Sequence, residues 1–213
     1  MHKYFIKTPW IVKQVFSSYA WSIDTNEKEV YLTFDDGPHP TITPWVLEQL
    51  KTYNAKASFF CIGNNVKQYP AIYKQIVEDG HTVGNHTYHH LNGWKVDTKK
   101  YLNDIAQASA LIETNLFRPP YGRIKSKQAK QISIALNRDD AKVIMWDVLS
   151  ADFDKNITKE ECLQNVLENY SEGSIVVFHD SEKAFPHLQF VLPKVLAHLQ
   201  QEGYTCRKIE CVK

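Results

Sequence analysis

Strand-like and helix-like segments alternate along 213 residues, which predicts an α/β fold built on a parallel sheet. Three observations carry that expectation. Apolar runs rich in β-branched and aromatic residues recur near 29–34, 57–62, 81–85, 114–118, 142–148, 174–178 and 204–209. Helix-compatible stretches lie between them at 42–53, 69–79, 98–114, 125–137, 159–170 and 187–201. No internal repeat, low-complexity tract or Gly/Ser linker interrupts the series. Seven units favour a closed or nearly closed barrel, with a doubly wound open sheet as the alternative. The length suits one domain, taken as 29–213, with residues 1–28 as an N-terminal segment packed on it.

The first segment, MHKYFIKTPWIVKQVFSSYAW, mixes basic and apolar residues, and Lys7, Pro9, Lys13 and Gln14 interrupt any continuous apolar run. It reads as a short amphipathic stretch packed on the domain, with no export signal and no membrane span; association with a membrane surface is the lesser alternative. That makes a cytoplasmic location the default. The first strand, Val30 to Phe34, then runs into Asp35 and Asp36 before Gly37 and Pro38 break it. Asp-Asp-Gly is a common turn composition. In parallel α/β folds, however, the C-terminal mouth of a strand is where ligands and catalytic groups collect, and successive residues there point to opposite sides.

After the third strand, HTVGNHTYHH packs four of the nine histidines into ten residues. His86 and His90 stand four apart, so both imidazoles can reach one ion, with His81 and His89 as bystanders. Two histidines and one carboxylate leave open coordination positions, the arrangement of a catalytic rather than a structural zinc, and Asp36 is the natural third ligand. Asp97 or Thr98 is placed to cap the following helix. After the fourth strand comes LFRPPYG, where two prolines stiffen the loop and Gly122 permits a sharp turn, which suits an exposed backbone amide; a surface loop with a solvated arginine is the plain alternative. MWDVLSADFD places Asp147 and Asp152 after the fifth, and Thr158 with Glu161 matches a capping box. GSIVVFHD delivers His179 and Asp180 at the end of the sixth.

Acids, histidines or, after the fourth, an arginine thus stand just beyond five of seven predicted strands, and a barrel would gather them in one mouth. TFDDGP, HTYHH, RPPYG, the Asp152 segment and IVVFHD resemble, in order, the five motifs of the polysaccharide deacetylases, carbohydrate esterase family 4, with the NodB homology domain. The resemblance covers roughly residues 29–210. It implies a distorted (β/α)7 barrel and metal-dependent hydrolysis of acetyl groups from N-acetylated, or sometimes O-acetylated, sugars. By position it makes Asp36, His86 and His90 ligands of one divalent metal, usually zinc, with cobalt, nickel or manganese as alternatives. It makes Asp35 the general base, Arg118 the partner that keeps the base ionised, and the Tyr121 backbone amide an oxyanion donor. His179 becomes the acid that protonates the leaving amine, oriented by Asp152. The expected partner is an acetylated oligo- or polysaccharide, such as peptidoglycan or a chitin-like oligomer. An O-acetyl esterase of xylan type and a catalytically idle carbohydrate- or metal-binding protein are the other readings. Two departures from the family pattern stay apolar: Phe153 where tryptophan is frequent, and Val177 where leucine commonly lines the acetyl pocket. Trp45, Trp94 and Tyr88 are candidate sugar-stacking faces, weighed against ordinary core positions.

Composition bounds the rest. Hydrophobic content of 43% and charged content of 23% belong to a globular chain, and a net charge of +1 argues against nucleic acid or another polyanion as partner. Cys61, Cys162, Cys206 and Cys211 form no CxxC, so they read as buried thiols, with a Cys206 to Cys211 disulfide as the one pairing left open.

Overall fold

The computed structural model describes residues 4–210, and its centre is a curled parallel sheet. The strands are β1 (Glu29–Asp35), β2 (Ser58–Cys61), β3 (Thr82–Asn85), β4 (Leu116–Phe117), β5 (Lys142–Val143), β6 (Val148–Leu149), β7 (Ile175–His179) and β8 (Thr205–Cys206). The helices are α1 (Trp10–Val15), α2 (Ile42–Thr52), α3 (Gly63–Gln68), α4 (Pro70–Glu78), α5 (Thr98–Ser109), α6 (Ser126–Ala129), α7 (Ile132–Leu136), α8 (Lys159–Leu167) and α9 (Phe185–Gln201).

The sheet order β5-β4-β3-β2-β1-β7-β6 decides between the two candidate architectures. With the short β8 set aside and the other seven read as a circle, every neighbour is also a neighbour in sequence, and only β5 and β6 fail to pair. A doubly wound sheet would reverse its order at a switch point; none occurs, so this is a distorted, incompletely closed barrel. β1 is flanked by β2 and β7, and Phe34 stacks between Phe59 and Phe178 at 5.1 and 5.8 Å. β8 adds a short parallel pairing at the start of β1.

The expected strand at 142–148 is in fact two. Ile144 still donates its N–H to Phe117, whereas the Asp147 N–H goes to Ile175, so the chain crosses from one edge of the sheet to the other over a few residues. The N-terminal segment fills the resulting seam. Ala20 pairs with the β5 edge through Val143 and Met145, while Ile6 and Thr8 bond Leu149 and Asp147 beside β6. Asp147 anchors the segment: its buried carboxylate takes Lys7 Nζ at 2.6 Å, Lys13 Nζ at 2.5 Å and Ser174 Oγ at 2.6 Å. Those groups hold its pKa below the ordinary value against the opposing effect of burial. Removing one partner from such a cluster leaves the others unpaired. Asp147→Ala is therefore expected to cost about 2–4 kcal/mol in urea unfolding and to expose the N-terminal segment to limited proteolysis.

Helix expectations fare similarly. The run at 125–137 breaks into α6 and α7 where the ladder tightens to an i→i−3 bond from Gln131 N–H to Gln128 O. α1 and α3 are short helices that the apolar periodicity does not reveal. The caps behave as their chemistry requires: Asp97 Oδ1 accepts from Lys100 N–H, and Thr158 and Glu161 close a reciprocal box at 3.0 and 2.7 Å. Cys61, Cys162 and Cys206 are buried free thiols, and the Cys206 to Cys211 pairing involves a residue outside those described. Among the described residues no helix is long and apolar enough to cross a membrane.

Candidate active site

Parallel strands deliver their C-terminal ends to one rim, and all eight candidate residues stand there. Asp35 ends β1 and Asp36 follows it, His86 and His90 follow β3, Arg118 and Tyr121 follow β4, Asp152 follows β6, and His179 ends β7 beside Asp35. Strain is concentrated at the same rim. Asp36 (φ +82°), Thr87 (+64°), His90 (+56°), Tyr121 (+60°) and Ala151 (+60°) all occupy the left-handed region, which is costly for residues with a Cβ and most so for β-branched Thr87. Such conformations persist only where surrounding bonds over-determine them. Here the Thr87 N–H is fixed by Asn85 Oδ1, and Asp104 Oδ2 accepts from both Tyr88 N–H and His89 N–H.

One group of side chains could hold a cation. Asp36, His86 and His90 each present a ligand atom, all within 4.8 Å of one another. His86 Nδ1 lies 2.7 Å from the Arg118 carbonyl, which can only accept, so Nδ1 carries the proton and Nε2 is left with a free lone pair. Burial pushes the His86 pKa down to about 4, which keeps that lone pair available at neutral pH. Asp36 Oδ1 is buried without a hydrogen bond: it is 3.2 Å from His90 Nε2, without hydrogen-bond alignment, and 3.7 Å from His86 Nε2. Burial alone would raise the Asp36 carboxyl, but His90 close by and the charge of His179 hold it well below its usual range. An orphaned buried carboxylate oxygen facing two imidazole nitrogens fits a divalent cation with open coordination positions.

Two charged pairs flank this group. Arg118 is fully buried and gives every arm a partner: Nη1 to Asp35 Oδ1 and to Thr33 Oγ1, both at 2.7 Å, Nη2 to Met145 O at 2.9 Å, and Nε to Ile144 O at 3.2 Å. The guanidinium also lies 4.0 Å over the Phe60 ring. On the other side Asp152, wholly buried, accepts from the His179 N–H at 2.8 Å and engages His179 Nδ1 at 2.7 Å. Burial would favour neutral His179, yet Asp152, with Asp36 and Asp35, raises its pKa to about 9. Nε2 is thus left as the acidic N–H on a ring that Phe153 supports edge-on at 5.2 Å. The turn at Tyr121 closes through Gly122 N–H to Pro119 O and Arg123 N–H to Pro120 O, bonds that do not use the Tyr121 N–H.

Several contributors carry no mark in the sequence. Asp180, fully buried, accepts from Gly37 N–H at 3.0 Å and from the Thr43 hydroxyl, tying the loop that carries Asp36 to the end of β7. A Cβ on Gly37 would lie 2.1 Å from Asp180 Oδ2, so only glycine fits. Asn65 Nδ2 holds the Asp36 carbonyl at 2.8 Å. Adjacency to His179 is the sole signal for Asp180; Thr33, Asn65 and Asp104 had none. Asp147, an equal candidate with Asp152 by position, belongs to the N-terminal anchor. His81 and His89 stay outside the cation group: His81 is buried and accepts from Ala57 N–H, and His89 closes on Asp104 at 2.6 Å. Of the candidate stacking aromatics, Trp45 and Tyr88 pack inward, whereas Trp94 is exposed.

The family model described as polysaccharide deacetylase matches residues 22–138. A peptidoglycan-N-acetylglucosamine deacetylase of Bacillus cereus is 35% identical over 203 residues, covering 91% of this chain and 70% of its own length. A chitooligosaccharide deacetylase of Azorhizobium caulinodans is 35% identical over 168 residues, covering 76% of this chain and 78% of its own. Among solved structures, a peptidoglycan N-acetylglucosamine deacetylase superposes with a TM-score of 0.84 at 32% identity, over 95% of each chain.

Proposed function

The chain belongs to the polysaccharide deacetylase family, and on that premise we propose that it hydrolyses the acetamido group of N-acetylglucosamine units in peptidoglycan or a chitin-like oligosaccharide. The observation that carries this reading is the orphaned Asp36 Oδ1 facing His86 and His90, set between the Asp35–Arg118 and Asp152–His179 pairs. A binding protein needs neither pair.

Asp36, His86 and His90 would hold the cation, and two nitrogens with one carboxylate oxygen suit zinc. When bound, it supplies Lewis acidity that polarises the acetyl carbonyl and acidifies water. Asp35 takes the proton from the attacking water, and Arg118, bonded to its Oδ1 at 2.7 Å, fixes the carboxylate in place. The Tyr121 N–H donates to the oxygen on which negative charge develops. His179 Nε2–H then protonates the leaving amine, while Asp152 fixes the ring and stabilises its cation. Val177, two residues before His179 on the same face of β7, and Phe153 shape the apolar side of the acetyl site.

The test is acetate release from N-acetyl and O-acetyl oligosaccharides after chelation and after reloading with zinc, cobalt, nickel or manganese. Turnover on N-acetyl substrates that disappears with chelator and returns with zinc is expected; turnover confined to O-acetyl xylan would replace this reading with the esterase one. A pH profile separates the roles further. His179 must be protonated to act, so the rate is expected to fall as pH rises through about 9. A cation on Asp36 opposes part of the pull on His179, which moves that limb lower rather than higher. Asp152→Asn removes the largest charge stabilising the imidazolium and is expected to shift the alkaline limb down and cut kcat by about 10²–10⁴-fold. An unmoved limb would remove His179 from the acid role.

A further inference from the structure

The strap formed by residues 4–21 precedes the family match and leaves large aromatic side chains in the open, Phe5 at 64% and Phe16 at 44% exposure. Between it and the loops after β3 and β4 runs a groove of about 590 Å³, within the usual size of ligand sites. Phe5, Phe16 and Trp21 of the strap line it together with Trp94 and Tyr121 of the loops. Trp21 Nε1–H donates to Phe16 O and Phe16 stacks on Tyr19 at 5.8 Å, so the strap's aromatic wall is braced.

The groove borders the catalytic rim from two directions. The Tyr121 ring is 4.6 Å from that of His90. Tyr4, also in the groove, packs at 5.7 Å on Phe153, which in turn supports His179. A ligand that starts at the cation group and continues along the surface therefore runs onto these aromatic faces. Sugar rings have that form, with C–H faces that lie flat on aromatic rings and hydroxyls around the edge. Arg123, stacked 4.1 Å over Trp94 in the same groove, presents donors to such hydroxyls. Contiguous exposed apolar surface beside a polar site marks a recognition surface.

We infer that this groove binds the sugar residues flanking the one that loses its acetyl group, so that the N-terminal strap supplies half of a surface that measures glycan length. This deepens the deacetylase reading and rests on it. The double variant Phe5→Ala/Phe16→Ala alters neither the cation group nor the charged pairs. Its kcat/KM on penta-N-acetylchitopentaose is expected to fall about tenfold, while that on the disaccharide stays within about twofold and thermal unfolding is unchanged. Equal losses on both substrates, or none on the pentamer, would overturn the inference. If the wild type releases no acetate from either, the deacetylase reading fails, and calorimetric titration with the pentamer decides the groove separately. Binding weakened about tenfold in the double variant supports it; equal binding overturns it. Sedimentation showing a dimer that the double variant dissociates would also overturn it, by making the groove an interface between copies of this chain.

Discussion

Asp35→Asn is expected to bind metal like the wild type and to lose acetate release by about 10²–10⁴-fold, whereas Asp36→Ala is expected to lose the metal itself. The two carboxylates are adjacent in sequence, yet they face different partners. Asp35 spends Oδ1 on Arg118 at 2.7 Å, while Asp36 Oδ1 faces His90 and His86 and bonds to nothing. Asparagine at 35 keeps the volume and an acceptor oxygen but cannot take a proton from water. Alanine at 36 removes one of three ligand atoms and also sits poorly at φ +82°, so Asp36→Asn, which tolerates that backbone, is the control for strain. Metal content by mass spectrometry, read beside kcat, separates the outcomes. Equal metal loss in Asp35→Asn and Asp36→Ala would dissolve the division of roles.

Arg118→Met is expected to abolish turnover and to destabilise the fold by about 3–5 kcal/mol in urea unfolding. The guanidinium has no exposed surface, and its removal takes the charged partner from the nearly buried Asp35 carboxylate and a donor from the Thr33 hydroxyl and from two backbone carbonyls. Lysine does not repair this, because one ammonium cannot reproduce a planar fork that reaches four oxygens. Arg118→Lys is therefore expected to recover part of the stability and little of the turnover. If Arg118→Met were as stable as the wild type, Arg118 would not be the keystone between β1, β4 and the 144–145 segment that the hydrogen bonds describe.

The catalytic rim was legible in the sequence because each of its motifs is local. An apolar run, a break, and a residue type capable of chemistry lie within a few positions of one another at Asp35 and Asp36, at His86 and His90, at Arg118, and at His179. Parallel connectivity alone then gathers strand ends on one side. Helix caps at Asp97 and Thr158 were equally legible, since a cap reaches only three residues ahead. The 142–148 run was misread for a related reason. A continuous apolar run marks a segment as extended, and both its halves are extended, but nothing in that composition says that the halves pair with opposite edges of the sheet.

By itself, the sequence determined the strand and helix alternation and offered the candidates for a cation site and for the acid and base at the strand ends. Tertiary structure alone decided that the barrel stays open between β5 and β6, and that residues 4–22 stitch the gap through Asp147 and the Ala20 pairing. It alone brought Asp180, Asp104, Thr33 and Asn65 to brace the candidate site. The physical reason is range: propensity, caps and turns act over a few residues and write themselves into local composition. A hydrogen bond between Asp180 and Gly37 spans 143 positions and leaves no trace until the chain has folded.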